Sequence, residues 1–244
     1  MSDIDPALPP FARALLPDLH RSFLRAAAGG VVLVLAAGIA LVGGHPALWF
    51  ALAGYGVGVA LSLVLMRRGY PHGRLGLCNR VTLARLALTA ALLAPLAGDV
   101  AVAWAVPVVA LLALSLDGLD GWLARREGLS SGFGARFDME VDSALALILA
   151  LNAMAAGSAG AIVLLIGVPR YAFAAAGLAA PWLDGPLPER FSRKAVCVAQ
   201  IATLIALQLP PVTPEFGNPL VAVVALMLAW SFGKDILWLR RARA

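Results

Sequence analysis

The chain has 244 residues, of which 61% are hydrophobic and 14% charged, with a formal net charge of +5. A soluble domain carries roughly a quarter charged residues and about half apolar ones, so the charges here are too few to cover a water-soluble globule. Nor does the basic excess mark a nucleic-acid binder, because Lys and Arg are spread through connectors between apolar blocks, as the positive-inside rule requires.

The N-terminus opens with Asp3, Asp5, Pro6, Pro9 and Pro10 ahead of a block long enough to span, which is not the pattern of a cleaved secretory signal. A helix needs about 20 mostly apolar residues to cross the hydrocarbon core. Eight blocks are predicted to do so, beginning near Ala26, Ala47, Val81, Val100, Phe137, Gly160, Ala195 and Pro219. They end near Gly44, Met66, Ala97, Leu116, Ala156, Leu183, Leu209 and Leu239, and the seventh is short. No stretch alternates over the length of a transmembrane strand. The predicted fold is therefore an all-α integral membrane protein with about eight transmembrane helices.

Charge then sets the orientation. Arg13, Arg21 and Arg25 precede the first block, and Arg67, Arg68, Arg74 and Arg80 lie between the second and third. Arg125, Arg126 and Arg136 connect the fourth and fifth, and Arg190, Arg193 and Lys194 the sixth and seventh. Lys234, Arg240, Arg241 and Arg243 close the chain. The connectors around His45, Asp99, Ser158 and Pro214 contain neither Lys nor Arg. This alternation predicts both termini in the cytoplasm, for a multi-pass protein of the cell inner membrane. Cys78 and Cys197 give no disulfide framework and read as small packing residues.

Two basic residues fall inside apolar blocks, where an ionisable group is costly and marks function. Arg85, near the start of the third block, either snorkels to the interface or faces a polar cavity. Arg170, about midway along the sixth, faces a polar cavity or an internal ion pair.

Of the 14 acidic residues, six lie in SLDGLDGWLARREGLSSGFGARFDMEVDS: Asp117, Asp120, Glu127, Asp138, Glu140 and Asp142. On helices, Asp117 and Asp120 at i and i+3 share a face, as do Asp138 and Asp142 at i and i+4. Two neighbouring helices thus present two carboxylates each to a common point. Four carboxylates without positive charge repel one another, and hard divalent cations such as Mg²⁺ or Mn²⁺, held by oxygen ligands, remove the problem. Two such ions can polarise a phosphoryl group and stabilise its leaving oxygen. No His or Cys joins the cluster, which argues against zinc. Gly121 and Gly134 permit close approach of a ligand or backbone, Ala124 leaves room one turn from Asp120, and Arg125 offers a fork suited to phosphate oxygens. The bland alternative is a solvated acidic loop balancing the neighbouring arginines.

This spacing resembles the signature D-x2-D-G-x2-A-R-x8-G-x3-D-x3-D of the CDP-alcohol phosphatidyltransferases, with Asp117, Asp120, Gly121, Ala124, Arg125, Gly134, Asp138 and Asp142 at its eight specified positions. Upstream, Asn79, Thr82 and Arg85 in CNRVTLARLAL resemble the Asn-x2-Thr pair that opens the family's first core helix. Downstream, GVPRYAF and RFSRKAVCVAQIA look like its acceptor-side helices, closest to phosphatidylglycerophosphate and phosphatidylinositol-phosphate synthases. The resemblance covers a six-span core within residues 77–244 and leaves residues 1–76 as a tail, two extra spans and a basic connector.

The resemblance implies that a CDP-linked lipid, most often CDP-diacylglycerol, donates its phosphatidyl group to an alcohol and that CMP leaves. It implies Asp117, Asp120 and Asp138 as ligands of two ions, with Asp142 sharing the second and acting as base. Asn79, Thr82, Arg85, Gly121, Ala124, Arg125 and Gly134 would bind the donor, and the protein would pair as a homodimer. Arg170, Arg193 and Lys194 could bind a phosphate on the acceptor, whose identity stays open. The competing classes are a divalent-cation transporter, which needs polar groups through the full membrane depth, and an inactive scaffold.

Overall fold

The computed structural model describes residues 17–98, 103–185, 187, 188 and 190–243. Asp3, Asp5, Pro6, Pro9, Pro10, Arg13, Asp99 and Val100 lie outside the described residues. Those described are helices and short connectors, with no strand among them. The chain divides into two compact units, Met1–Asp142 and Ser143–Ala244.

The first unit contains α1 (Pro17–Val42), α2 (Leu48–Gly69), α3 (Gly76–Ala91), the single turn α4 (Ala94–Ala97), α5 (Ala105–Ser115), α6 (Asp117–Glu127) and the start of α7 (Gly132–Ala155). The two N-terminal helices pack on α3, and small residues bring them close. The Tyr55 hydroxyl of α2 donates to the Ala27 carbonyl of α1 at 3.0 Å, over Gly30, where a Cβ would overlap the ring. Gly54 and Gly58 share the face of α2 turned to the core: a Cβ on Gly58 would meet Leu86 at 2.9 Å, and one on Gly54 would overlap Leu93. Gly56, on another face, meets open space.

The fourth apolar block, predicted to end near Leu116, does not stop there. Leu116 keeps helical angles, its amide bonds Leu112 and its carbonyl accepts from the Asp120 amide at 3.3 Å, so α5 runs into α6. Asp117 and Asp120 therefore sit within one 23-residue apolar helical stretch, Ala105–Glu127. The helix ends at Gly128 (φ +66°), where the Leu129 amide turns back to the Ala124 carbonyl at 2.9 Å.

The second unit holds the rest of α7, a 3₁₀ turn (Ala161–Val163) leading into α8 (Leu164–Gly167), then α9 (Pro169–Ala179), α10 (Phe191–Ala206) and α11 (Pro214–Arg243). The sixth predicted block is broken: Ala161–Gly167 and Pro169–Ala179 meet at 64°, at a proline that has no amide hydrogen to continue the ladder. Helix α11 begins at Pro214, five residues before the predicted start, with Pro219 inside it.

All eight predicted blocks are helical, but they differ in fitness to span. Five helices are long and apolar enough, or six if the bent pair is one span. Helix α7 has the length, 24 residues, but carries Arg136, Asp138, Glu140 and Asp142 in its first half. Helix α10 has only 16 residues.

Candidate active site

The site is assembled by a latch between α3 and α6. Gly76 adopts φ +74°, and a Cβ there would crowd Leu129, Glu127 and Cys78. The turn leaves the first amides of α3 pointing outward, and the Glu127 carboxylate accepts from Leu77 N at 2.9 Å and Cys78 N at 3.3 Å. A carboxylate at a helix N-terminus satisfies orphan amides and meets the positive end of the dipole. Arg74 closes the latch by donating to the Glu127 carbonyl at 3.0 Å. With the last residue of α6 fixed on the first turn of α3, Thr82 and Arg85 face Asp120 and Asp117. Sequence reasoning gave Glu127 no role; a lone acid in a basic connector carries no signal of what it caps.

Arg85 is the hub. It is 1% exposed and touches all four aspartates. One terminal nitrogen lies 2.7 Å from Asp120 Oδ2 and also pairs with Asp138; the other lies 2.7 Å from Asp117 Oδ1 and also pairs with Asp142. The snorkelling alternative is thereby overturned: the side chain points into the carboxylates, because only there does a buried guanidinium find counter-charge. Its Nε, also buried, has no hydrogen-bond partner among the described residues. Thr82 Oγ1 lies 3.0 Å from Asp120 Oδ2 and 3.1 Å from the Cys78 carbonyl, so its one proton serves either acceptor. Asp120 Oδ1 accepts from the Gly121 amide at 2.7 Å.

Four negative charges against one positive leave the cluster three short of neutrality. Asp120 is buried, while Asp117, Asp138 and Asp142 each keep about two-fifths of their side chains open. Asp117, Asp120 and Asp138 each offer an oxygen, all within 4.8 Å of one another. Opposed ligands of Mg²⁺ stand about 4.2 Å apart, twice a bond of roughly 2.1 Å. The donor set is all oxygen, partly open and excess in negative charge, so these residues fit a hard divalent cation. Asp142 lies outside that trio and joins the cluster through Arg85.

Beside the carboxylates is a cleft of about 230 Å³. Asn79, Thr82, Gly121, Ala124, Arg125 and Gly134 line it, with Asp120 and Asp138 at its edge. Six of the seven residues expected around a donor thus share one cleft, and the seventh, Arg85, is turned to the aspartates. Ser130 and Ser131 also line it; they fall in the variable stretch of the signature, where spacing says nothing of side-chain direction.

The residues expected at an acceptor belong to the second unit. Arg170 follows the break between α8 and α9, where the sequence predicted an unbroken span. Arg193 and Lys194 lie in the first turn of α10. Arg193 donates to the Pro188 carbonyl at 3.0 Å and reaches Asp235 Oδ2 at 3.4 Å. Arg190 lies 3.5 Å from Asp235 Oδ1, an oxygen with no hydrogen bond among the described residues. Asp235 is 4% exposed. It is an acid within the last apolar block, which is signal enough, yet the sequence reading passed over it.

A family model described as CDP-alcohol phosphatidyltransferase matches residues 75–234. No match was found among curated proteins or among solved structures.

Proposed function

The chain belongs to the CDP-alcohol phosphatidyltransferase family, and from that premise we propose that it moves the phosphatidyl group of CDP-diacylglycerol onto the hydroxyl of a small polar alcohol, releasing CMP. One observation carries this: two helix ends converge four aspartates beside a cleft, with three carboxylate oxygens close enough to share a cation.

Asp117, Asp120 and Asp138 would hold Mg²⁺ or Mn²⁺, with Asp142 sharing a second ion. Bound there, such ions would supply positive charge against the pyrophosphate and the departing nucleotide phosphate. The protein's own residues do the rest. Asn79, Gly121, Ala124 and Gly134 shape the donor cleft, and the Arg125 guanidinium faces it as a phosphate fork. Asp142 accepts the proton of the acceptor hydroxyl as that oxygen bonds the lipid-bearing phosphorus. The phosphorus–oxygen bond to CMP breaks, and CMP leaves with the electron pair. Arg85 holds the carboxylates gathered by pairing with each of them.

Arg193, Lys194 and Arg170 are suited to a phosphorylated acceptor such as a sugar-alcohol phosphate. Alternation of basic and neutral connectors supports a cytoplasmic site at the inner membrane, with both termini on that side and eight spans. A nucleotide headgroup in water and acyl tails in lipid fit that location. Pairing into a homodimer is the family's habit and belongs to the same reading.

The deciding experiment is a Mg²⁺-dependent assay of labelled CDP-diacylglycerol against a panel of alcohols, scoring lipid product and CMP. Asp138→Asn should lower turnover by about 10²–10³-fold while the protein remains folded in detergent. Near-normal turnover by that variant removes the metal-site assignment.

A further inference from the structure

Asn79 is a buried amide whose orientation is fixed by chemistry. Its amide nitrogen lies 2.6 Å from the Leu75 carbonyl and 3.1 Å from the Tyr70 hydroxyl. A carbonyl only accepts, so the atom facing it is the NH₂ and not the oxygen. The Tyr70 hydroxyl in turn lies 2.7 Å from the Arg74 carbonyl and 3.2 Å from that of Leu75, so its proton points there and its lone pair is left for Asn79. Burial raises the Tyr70 hydroxyl well above the usual tyrosine range, which keeps that proton in place. Tyr70 is fully buried, edge-on to Phe133 and His72, so the phenol has no second position.

Both N–H bonds of Asn79 are thus spent on the protein, and Oδ1 remains. It accepts no hydrogen bond among the described residues and stands beside Gly134, where a Cβ would lie 3.9 Å from it and 3.3 Å from Ser131 Oγ. Asn79, Ser131 and Gly134 line the same cleft. Ser131 Oγ accepts from the Gly134 amide at 3.1 Å and keeps its own proton to give. The wall over Gly134 therefore presents a strict acceptor next to a hydroxyl donor.

Asn79 already stands among the donor-binding residues that the family resemblance implies; we propose that Tyr70 sets its Oδ1 to read a hydrogen-bond donor on the nucleoside half of the CDP-linked lipid. Tyr70 is the positioning residue of that contact, and it lies outside residues 75–234, where the family match falls. The inference rests on the donor reading of the cleft given above. Two groups of the nucleoside supply the chemistry: the exocyclic amine of cytosine and a ribose hydroxyl. Uracil carries an oxygen where cytosine carries that amine, and a 2′-deoxy sugar lacks one hydroxyl, so the two sources separate.

The test uses the full chain in mixed micelles, with CDP-diacylglycerol, its UDP counterpart and its 2′-deoxycytidine counterpart as donors. Wild-type protein should lose about tenfold in kcat/KM with one of the two altered donors, the loss of one well-placed hydrogen bond; which one identifies the group read. Tyr70→Phe, which keeps the ring packing, should raise the KM of the CDP lipid by about the same factor, change kcat and acceptor KM far less, and shrink the discrimination. Asn79→Ala should abolish it. Equal use of all three donors by the wild type overturns the inference and leaves the transferase reading standing. So does full discrimination retained by Tyr70→Phe. Nucleotide release from none of the three removes the transferase reading, and the inference with it.

Discussion

The two units each contain a buried cluster of arginine and aspartate, built on opposite stoichiometries. In the first, one guanidinium, Arg85, stands among four carboxylates. In the second, two guanidiniums, Arg190 and Arg193, stand about one carboxylate, Asp235. Among the described residues, the first is left with excess carboxylates and open oxygens, the second with excess guanidinium. A cluster that balanced itself would be a structural ion pair and nothing more. On the proposed function, cations would complete the first site and an anionic group on the acceptor the second. The quality of contact also differs. Arg85, itself buried, makes pairs at 2.7 Å, whereas Asp235 is reached only at 3.4 and 3.5 Å, long for a charge-assisted hydrogen bond.

Removing the minority partner of each cluster should break this contrast most sharply. Arg85→Ala leaves four carboxylates without counter-charge, and losing one side of a buried pair costs about 3–5 kcal/mol. Its melting temperature in detergent should fall well below wild type, and millimolar Mg²⁺ should restore more of the loss than it adds to wild type. A variant as stable as wild type without Mg²⁺ would show that the carboxylates do not need Arg85. Asp235→Ala, by contrast, frees Arg193 to move. Steady-state kinetics should show the acceptor KM rising about tenfold, as for a lost charged hydrogen bond, with donor KM unchanged; a shift in both constants would mark a general packing defect. Arg170→Ala should also raise acceptor KM more than donor KM, by several-fold. Arg190→Ala should do least, under about 1 kcal/mol in stability, because Arg190 is part-exposed and its side chain makes, among the described residues, only the 3.5 Å contact.

The signature around Asp117 to Asp142 was legible because helical period converts spacing into shared faces, and four like charges on two faces call for counter-charge, which Arg85 supplies in part. The helical class was legible from apolar length alone. Helix at Asp117 and Asp120 belonged to that reading; its run on to Glu127 within one apolar stretch did not, since polar residues from Asp117 onward read as the end of a span when their buried partner is unseen. Arg85 illustrates the same limit: its position near a block end allowed snorkelling, and only the location of Asp120 and Asp138 across from it decides otherwise. Tyr70 and Glu127 act through contacts between residues 9 and about 50 positions apart, and no local pattern announces those.

The acids of α7 have a consequence for how the protein is made. A helix that emerges from the ribosome with Asp138, Glu140 and Asp142 in its opening turns enters lipid reluctantly, each such charge costing about 2.5–3.5 kcal/mol at mid-bilayer on insertion scales. Arg85 is synthesised 53 residues before Asp138, on a helix apolar enough to have partitioned first. The continuous helix of α5 and α6 brings Asp117 and Asp120 to it, and α7 would then pack its acids against an electrostatic socket already waiting. Catalytic geometry and order of assembly are, on this account, written in the same five side chains.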